Sequence, residues 1–567
     1  MGSPPQRPAF SPKLLSYLFF LSGFSSLLLE VTWARHLTQL TGSGVRATAT
    51  VAAVTLAGLS LGAWLSGWRC ERLAAPLRAY AWVELGIGAW ALLSAALRAW
   101  LVRLAPPIQV LGSGELDRAG GSLLASVFLV LPGAFLMGAT TPLMVRADFS
   151  LTSSNSAGES TGLRLGRLYG WNTLGGSAGA LGAAFVILPA MGMRTTCFAM
   201  AGINLTIAGL ALSLARRQAK HGSAPRSAAP ERDRLAASPP RAARNGVTLL
   251  ALFLAGAMGA ICQVGWTRLL VLFFGSSVQA LGLTLAACLA GLALGSSGCA
   301  RALRTSSFPN RISSLLCGAA AALLLLSLPL WGGLPVLAAV AQVYLGASFS
   351  GALALQAFLC VLLILPPAAA FGALLPALTA ALGAGEATPG RTSGSGYALD
   401  SAGAVVGGLM AVFVLLPRWG VEALLRSTVA AGTVLFILLA LSSWRGKRAM
   451  AGIGAFCGFL GCGAVFLPSW DPVLLTSGPL LYSTAYVRAG GLSWKGVQEA
   501  MHRRGRLVFL GEGADATVTV RRSAVGNLSL QINGKTAASA GGDLPAQILA
   551  GEIPALLHPS PSRLLVI

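Results

Sequence analysis

The chain has 567 residues, of which 55% are hydrophobic and 10% are charged, and its formal net charge is +23. Apolar stretches recur along it, each long enough to cross roughly 30 Å of hydrocarbon. This composition excludes an ordinary soluble protein and predicts a multipass membrane protein whose main partner is the lipid bilayer.

The positive charge does not indicate a nucleic-acid-binding protein. Lys and Arg residues lie mostly between the apolar stretches and form no interleaved basic and aromatic face. Membrane topology explains them better, because cytoplasmic loops carry an excess of Lys and Arg. The nine cysteines are scattered, and no closely spaced Cys or His pair predicts a metal site.

The first apolar span covers about 14–32 and follows a short leader that contains Arg7 and Lys13, as a signal peptide would. The leader has no clear small-residue cleavage site, and the same span recurs later in the chain. We therefore expect a retained helix.

A membrane unit occurs twice in the sequence. Residues 20–62 align without a gap on 253–295, and eighteen of forty-three positions are identical. Two later blocks repeat as well, and their matched residues are Pro132, Gly138 and Pro142 with Pro366, Gly372 and Pro376, then Tyr169, Asn172, Gly175 and Gly179 with Tyr397, Asp400, Gly403 and Gly407. The pattern predicts a duplicated unit.

Each copy is predicted to hold six spans, near 14–32, 46–68, 79–102, 122–145, 168–190 and 194–215, and again near 246–266, 279–300, 312–331, 352–381, 397–417 and 421–443. An even number of spans makes both copies enter the membrane from the same side. The predicted fold class is therefore an all-α polytopic domain of two parallel six-helix repeats, as in the two halves of major facilitator transporters.

The predicted domains are a first repeat (1–215), a basic disordered linker (216–245), a second repeat (246–445), an additional hydrophobic segment (446–469) and a tail (470–567). The linker is basic and rich in proline, and the positive-inside rule places it in the cytoplasm. Whether the additional segment crosses the membrane decides on which side the tail lies. The sequence leaves this open, with 12, 13 or 14 spans.

Polar residues within the spans are the candidates for an intramembrane site, because an ionisable group in lipid is costly. Asn172 and Asp400 occupy matched positions, and Glu30 matches Gln263; Glu84 lies in the third span. One hypothesis is a polar pocket between the repeats that binds a cation or small solute, with the carboxylates as contacts. The alternative is that these groups pair with Arg35, Arg391 or backbone atoms and hold helices together. Trp33 and Trp266 are predicted to be interfacial anchors.

The tail has the pattern of a small β-rich α+β unit. Residues 506–511, 516–522 and 528–532 favour strands, and Asn533-Gly534 favours a hairpin turn. Asp543 is predicted to cap a helix that has Pro545 in its first turn and ends near Leu557. The residues from Leu564 to Ile567 are predicted to form a further apolar strand.

The tail resembles the amino-terminal part of spermidine synthases. The resemblance rests on Leu530-Gln531-Ile532-Asn533-Gly534-Lys535, on Asp543 to Leu549, and on Pro554 to Pro561 followed by Arg563-Leu564-Leu565-Val566-Ile567. The whole chain is similar to the bacterial membrane-fused kind, in which a major-facilitator-like domain precedes the aminopropyltransferase domain. That resemblance implies a location in the bacterial cytoplasmic (inner) membrane.

The resemblance implies aminopropyl transfer from decarboxylated S-adenosylmethionine, as co-substrate, to putrescine or a similar amine. Gln547, with Asp543 nearby, is the implied contact for the adenosyl donor, although Ala546 replaces the usual tyrosine. The Gly-rich loop and the catalytic acid that the family carries would lie beyond Ile567, so this chain is expected to be inactive and to bind no cofactor. The alternative function is a major-facilitator-like transporter or binding protein for polyamines or other cations.

Overall fold

The computed structural model describes residues 12–41, 45–111, 115–151, 159–220, 241–306, 308–346, 348–383 and 388–563. The membrane domain is helical throughout, and its helices are α1 Pro12–Thr41, α2 Val45–Cys70, α3 Pro76–Leu111, α4 Glu115–Leu151, α5 Thr161–Leu181, α6 Ile187–Lys220, α7 Arg241–Phe274, α8 Val278–Thr305, α9 Pro309–Leu345, α10 Phe349–Leu382, α11 Pro389–Met410, α12 Leu416–Ser443 and α13 Lys447–Phe466. Short π-helical turns, Gly182–Val186 and Ala411–Leu415, follow α5 and α11.

The described residues contain eleven continuous apolar helical segments, and the two longest comprise 59 and 55 residues. Such a segment would extend about 80–90 Å as one straight helix, far more than a bilayer holds. Each is broken by a glycine with positive φ, Gly192 and Gly420, where the chain turns back. Each long segment therefore makes two crossings, which gives thirteen crossings in the described part of the chain.

The two repeats pack alike, so the predicted fold class is confirmed. In each repeat the first helix packs on the fifth, the second on the fourth, and the third on the sixth, as the pairs α1–α5, α2–α4 and α3–α6 and the pairs α7–α11, α8–α10 and α9–α12. Between the repeats, α5 lies along α8 and α2 lies along α11. Parallel six-helix repeats of this kind form the two halves of major facilitator domains.

Glycines at matched positions allow this packing. A Cβ at Gly175 would overlap the Phe20 carbonyl, and one at Gly403 would overlap the matching Phe253 carbonyl. Gly62 meets the Phe135 carbonyl in the same way. Lipid supplies no hydrophobic force between helices, so close backbone approach at small residues is what holds them together.

The two tryptophans predicted to be interfacial anchors are instead core residues. Trp33 is fully buried and its indole Nε1 donates to Ser94 Oγ at 3.1 Å, while Trp266 is 1% exposed. The prediction was wrong because the helices continue beyond these positions, so each indole faces a neighbouring helix and not the headgroups.

The tail begins after α13 with three short helices, α14 Pro472–Leu475, α15 Ser483–Gly490 and α16 Trp494–Arg503. An antiparallel sheet of order β1-β2-β3-β4 follows, with strands Arg506–Glu512, Thr517–Arg522, Leu528–Ile532 and Lys535–Ser539, and then helix α17 Leu544–Leu557. The positive φ of Asn533 and Gly534 makes the predicted tight turn between β3 and β4. The strand predicted at 564–567 lies outside the described residues.

The tail packs on the face of the membrane domain opposite the linker. Helix α7 starts at Arg241, next to the linker, and its far end carries Arg268, whose guanidinium donates to the backbone carbonyls of Gly513, Ala514 and Asp515 in the β1–β2 turn. At the start of α12, the Val421 N–H donates to Glu512 Oε2 at 2.8 Å. We call this side the tail face and the opposite side the linker face.

Helix α13 therefore runs from the linker face to the tail face, and it is long and apolar enough to cross a membrane. Its last turn is held by Arg426 of α12, which donates to the carbonyls of Ala464, Leu467 and Pro468. The same guanidinium pairs with Glu422, whose other oxygen accepts the Trp470 N–H. The tail face is then extracytoplasmic if the basic linker face is cytoplasmic.

This topology predicts opposite labelling of two introduced cysteines by a membrane-impermeant maleimide. Val525, 82% exposed in the β2–β3 turn, would react as Val525→Cys in right-side-out vesicles. Thr305, exposed at the linker-face end of α8, would react as Thr305→Cys in inside-out vesicles. Labelling is measured on the tryptic peptide by mass spectrometry, with the parent chain as control. Equal labelling of both positions from one side would contradict the topology.

Candidate functional site

Two carboxylates, one from each repeat, lie at the interface between the repeats. Glu30 comes from α1 and Asp400 from the middle of α11, and both are partly exposed. Both lie close enough to the Tyr397 hydroxyl to interact with it electrostatically. Tyr397 makes an edge-to-face contact with Tyr169 of α5, with ring centroids 5.9 Å apart. We call Glu30, Asp400, Tyr169 and Tyr397 the interface cluster.

No cation neutralises this cluster within the described residues. Neither Glu30 nor Asp400 forms an ion pair, and neither Arg35 nor Arg391, the partners that the sequence allowed, bonds to them. An unpaired carboxylate in a low-dielectric bundle is costly unless it is protonated or a cation approaches it. The cluster is therefore suited to bind a positively charged group.

The structure separates the other two candidate residues from this cluster. Asn172 uses its side-chain Nδ2 to donate to the Phe19 carbonyl at 3.0 Å, and so ties α5 to α1. Glu84 is fully buried within the first repeat and accepts a hydrogen bond from Ser22. Asn172 thus serves packing, while Glu84 belongs to a second location.

The two tyrosines were missed as functional residues by sequence reasoning. They had appeared only as one matched pair of the third repeated block. A signal was available, since each lies one helical turn before Asn172 or Asp400, and residues three apart share a helix face. Their mutual contact across the two repeats could not be inferred from a single sequence.

The candidate residues of the tail lie on its surface. Gln547 is exposed, and helix α17 has no buried residue, so this helix alone encloses nothing. Asp543 stands at the N-cap position of α17, but its carboxylate accepts from the Ser539 hydroxyl at 2.8 Å and from no helix N–H. The predicted capping bond is therefore wrong, because the Asp543 carboxylate accepts from the Ser539 hydroxyl instead.

An ionic contact closes the interface at the linker face. Glu71, at the end of α2, accepts the Gly390 and Arg391 N–H groups at the start of α11, at 2.5 and 3.1 Å, and pairs with Arg146 of α4 at 3.2 Å. A carboxylate is favoured at a helix N-terminus, where it meets free N–H groups and the positive end of the dipole. We call this contact the latch.

Beside the latch, the two repeats touch through two glycines and one side-chain hydrogen bond. Gly67 of α2 and Gly394 of α11 approach so closely that a Cβ on either would strike the other, and the Ser60 hydroxyl donates to the Ala398 carbonyl at 2.8 Å. The linker-face end of the interface is thus sealed in this conformation.

Comparison with known proteins gives likenesses of structure. No family model and no curated protein matches the sequence. Among solved structures, the chain is similar to the major facilitator superfamily transporter FucP in the outward conformation (TM-score 0.47, 13% identity, 77% of this chain and 100% of that one) and to the human organic anion transporter MFSD10 (0.48, 16%, 76% and 100%). It is also similar to a bacterial homologue of the iron transporter ferroportin in an outward-facing state (0.47, 12%, 76% and 99%).

The architecture supports a coarse assignment. The chain is a multipass membrane protein with a major-facilitator-like fold. Its two parallel six-helix repeats, paired through α5 with α8 and α2 with α11, carry that assignment.

Removal of the latch carboxylate is expected to open the sealed end. In Glu71→Ala the Gly390 and Arg391 N–H groups lose their acceptor, at a cost of roughly 1–3 kcal/mol. The neighbouring Cys70 thiol, fully buried here, should then react several-fold faster with N-ethylmaleimide, as measured by peptide mass spectrometry. Glu499→Ala, which breaks an exposed pair with Arg503, is the matched control. An unchanged Cys70 rate in Glu71→Ala would show that the latch does not hold the interface shut.

Proposed function

We propose that the protein is a transporter or binding protein of the major-facilitator type for small organic cations, with polyamines as the first class to test. The proposal places it in a bacterial cytoplasmic membrane. The observation that carries it is the interface cluster, in which one carboxylate from each repeat lies at the interface without a cationic partner among the residues that the structure describes.

The chemistry of the cluster favours an amine ligand. Glu30 and Asp400 supply negative charge, and an ammonium group would supply the missing counter-ion. The Tyr169 and Tyr397 rings add aromatic faces, which attract alkylammonium groups by cation–π interaction worth roughly 0.5–2 kcal/mol. Metal ligands are few here, since the described residues contain no group of three or more His, Cys, Asp or Glu side chains that could hold a metal ion.

The placement of the cluster favours transport over fixed binding. Its groups come from both repeats, so any motion of one repeat against the other changes the distances between them. The latch seals the linker face at the same interface. Alternating access in such folds proceeds by movement of one repeat against the other around a site near the membrane midplane.

The transport hypothesis predicts uptake of labelled putrescine or spermidine into vesicles that carry the full chain. Glu30→Gln and Asp400→Asn should each reduce uptake or raise its KM by about 10- to 100-fold, because a charged contact contributes roughly 1.5–3 kcal/mol. Glu552→Gln, at an exposed position of α17, is the matched control and should transport normally. Uptake that is absent from the parent chain, or unaffected by both substitutions, would refute this function.

The aminopropyltransferase function that the resemblance implies is the second candidate. The tail is an antiparallel meander with a tight Asn533-Gly534 turn, followed by α17, and no matching family model or curated protein supports that resemblance. The location of the tail weighs against this function. A nucleoside donor is made in the cytoplasm, whereas the tail face is expected to lie outside it.

This second function is tested by incubating the purified chain with labelled decarboxylated S-adenosylmethionine and putrescine. The expected result is no labelled spermidine above the level of a protein-free control, because the described tail encloses no donor site around Gln547. Turnover that Gln547→Ala diminishes would establish the enzyme and displace the transport hypothesis.

A further inference from the structure

A group of polar side chains is buried inside the first repeat, apart from the interface cluster. Glu84 and Tyr80 come from α3, Ser22 and Ser25 from α1, and Asn204 from α6. All five are at most 1% exposed. Three helices thus converge on one polar interior in a domain whose other packing is mainly apolar. We call these residues the first-repeat cluster.

The hydrogen bonds of this cluster fix the direction of its groups. The Ser22 hydroxyl donates to Glu84 Oε1 at 2.6 Å. Asn204 Nδ2 donates to Ser25 Oγ at 2.7 Å and to the Met200 carbonyl at 2.9 Å. Since its nitrogen is committed to these two acceptors, the amide oxygen Oδ1 of Asn204 points elsewhere as a free acceptor.

Three buried oxygens of the cluster have no hydrogen-bond partner among the described residues. They are Glu84 Oε2, Asn204 Oδ1 and the Tyr80 hydroxyl. The Tyr80 hydroxyl approaches the Glu84 carboxylate and Ser22, but the geometry completes no bond. Each such oxygen costs roughly 1–3 kcal/mol if it stays unsatisfied. Three together in one small interior indicate a missing partner.

The helices place these groups on adjacent turns of the bundle. Ser22 and Ser25 are three residues apart and share a face of α1. Gly88, one turn after Glu84, lies so close to α6 that a Cβ on it would be 3.5 Å from the Cβ of Asn204. The polar groups of α1, α3 and α6 therefore lie within about one helical turn of one another.

The second repeat lacks this chemistry at the equivalent place. The shift that aligns 20–62 on 253–295 matches Ser22 and Ser25 with Ala255 and Met258, and carried further along the chain it matches Glu84 with Cys317. The shift that pairs Tyr169 with Tyr397 matches Asn204 with Gly432. Cys317 and Gly432 also lie together in space, because the Cys317 thiol donates to the Gly432 carbonyl. Helices of this fold thus pack without a buried carboxylate, and the polar set of the first repeat is not required for packing.

The composition of the first-repeat cluster indicates which kind of cation would fit it. All its free ligand atoms are oxygens, which suits hard cations over zinc, copper or iron. It holds one carboxylate, whereas calcium sites use several and six to eight oxygens. A single negative charge is balanced by one monovalent cation.

We propose that the first repeat contains a binding site for a monovalent alkali cation, Na⁺ in the first instance, formed by Glu84, Asn204 and Tyr80 with the serines of α1. This site is independent of the interface cluster and of the proposed transport function. A bound cation would complete the coordination of the three free oxygens and join α1, α3 and α6.

The test uses the full chain purified in detergent. Binding of ²²Na⁺ is measured by scintillation proximity, and thermal unfolding is compared in NaCl and in choline chloride at equal ionic strength. We expect a single saturable Na⁺ site and a higher Tm in NaCl, since a ligand that binds only the folded state stabilises it. Glu84→Gln, almost equal in size, should abolish both effects.

Two further variants keep the outcome decisive. Asn204→Ala should weaken Na⁺ binding by at least about tenfold, and it serves where Glu84→Gln yields too little folded protein. Cys317→Ser, at the equivalent place in the second repeat, should bind Na⁺ like the parent chain. The proposal is overturned by an absence of saturable binding, by binding that Glu84→Gln leaves intact, or by a stability that follows pH alone and not Na⁺, which would assign a proton to Glu84.

Discussion

Close contact between glycine and a neighbouring backbone carbonyl is the interaction on which this membrane domain depends. In lipid, helices gain nothing from hydrophobic association, so van der Waals packing and hydrogen bonds must hold them. The contacts of Gly175 with Phe20 and of Gly403 with Phe253 leave no room for a Cβ. They fix α5 against α1 and α11 against α7, and so place Tyr169 and Asp400 in the interior.

The two repeats share one scaffold, and the buried carboxylates lie at positions where the two repeats differ. Asn172 donates to a carbonyl of α1 and needs no counter-ion, whereas Asp400, at the matched position, brings a charge. The reverse asymmetry occurs at Glu84 and Cys317, since the carboxylate lies in the first repeat and the thiol in the second. Packing is preserved in both cases, because glycines and alanines around these positions set the helix spacing. A few polar substitutions therefore create two electrostatically distinct interiors.

The two ends of the domain are organised differently. At the linker face, Glu71 joins the repeats by accepting N–H groups of α11 while it pairs with Arg146. At the tail face, Arg268 and Glu512 fasten the β1–β2 turn to α7 and α12, which both belong to the second repeat. Burial raises the pKa of Glu512, while the Val421 N–H and Arg268 act to lower it. These contacts thus attach the tail to the second repeat.

The sequence by itself determined the repeats, the fold class, the hairpin turn of the tail and the presence of intramembrane carboxylates. These features depend on local periodicity, on turn chemistry and on identities that recur at a constant spacing, all of which are written along the chain. The course of α13 from the linker face to the tail face, the burial of Trp33, the encounter of Tyr169 with Tyr397 and the separation of Glu84 from Asp400 were decided only by the tertiary structure. Each depends on which helix faces another, and residues hundreds of positions apart meet through that packing.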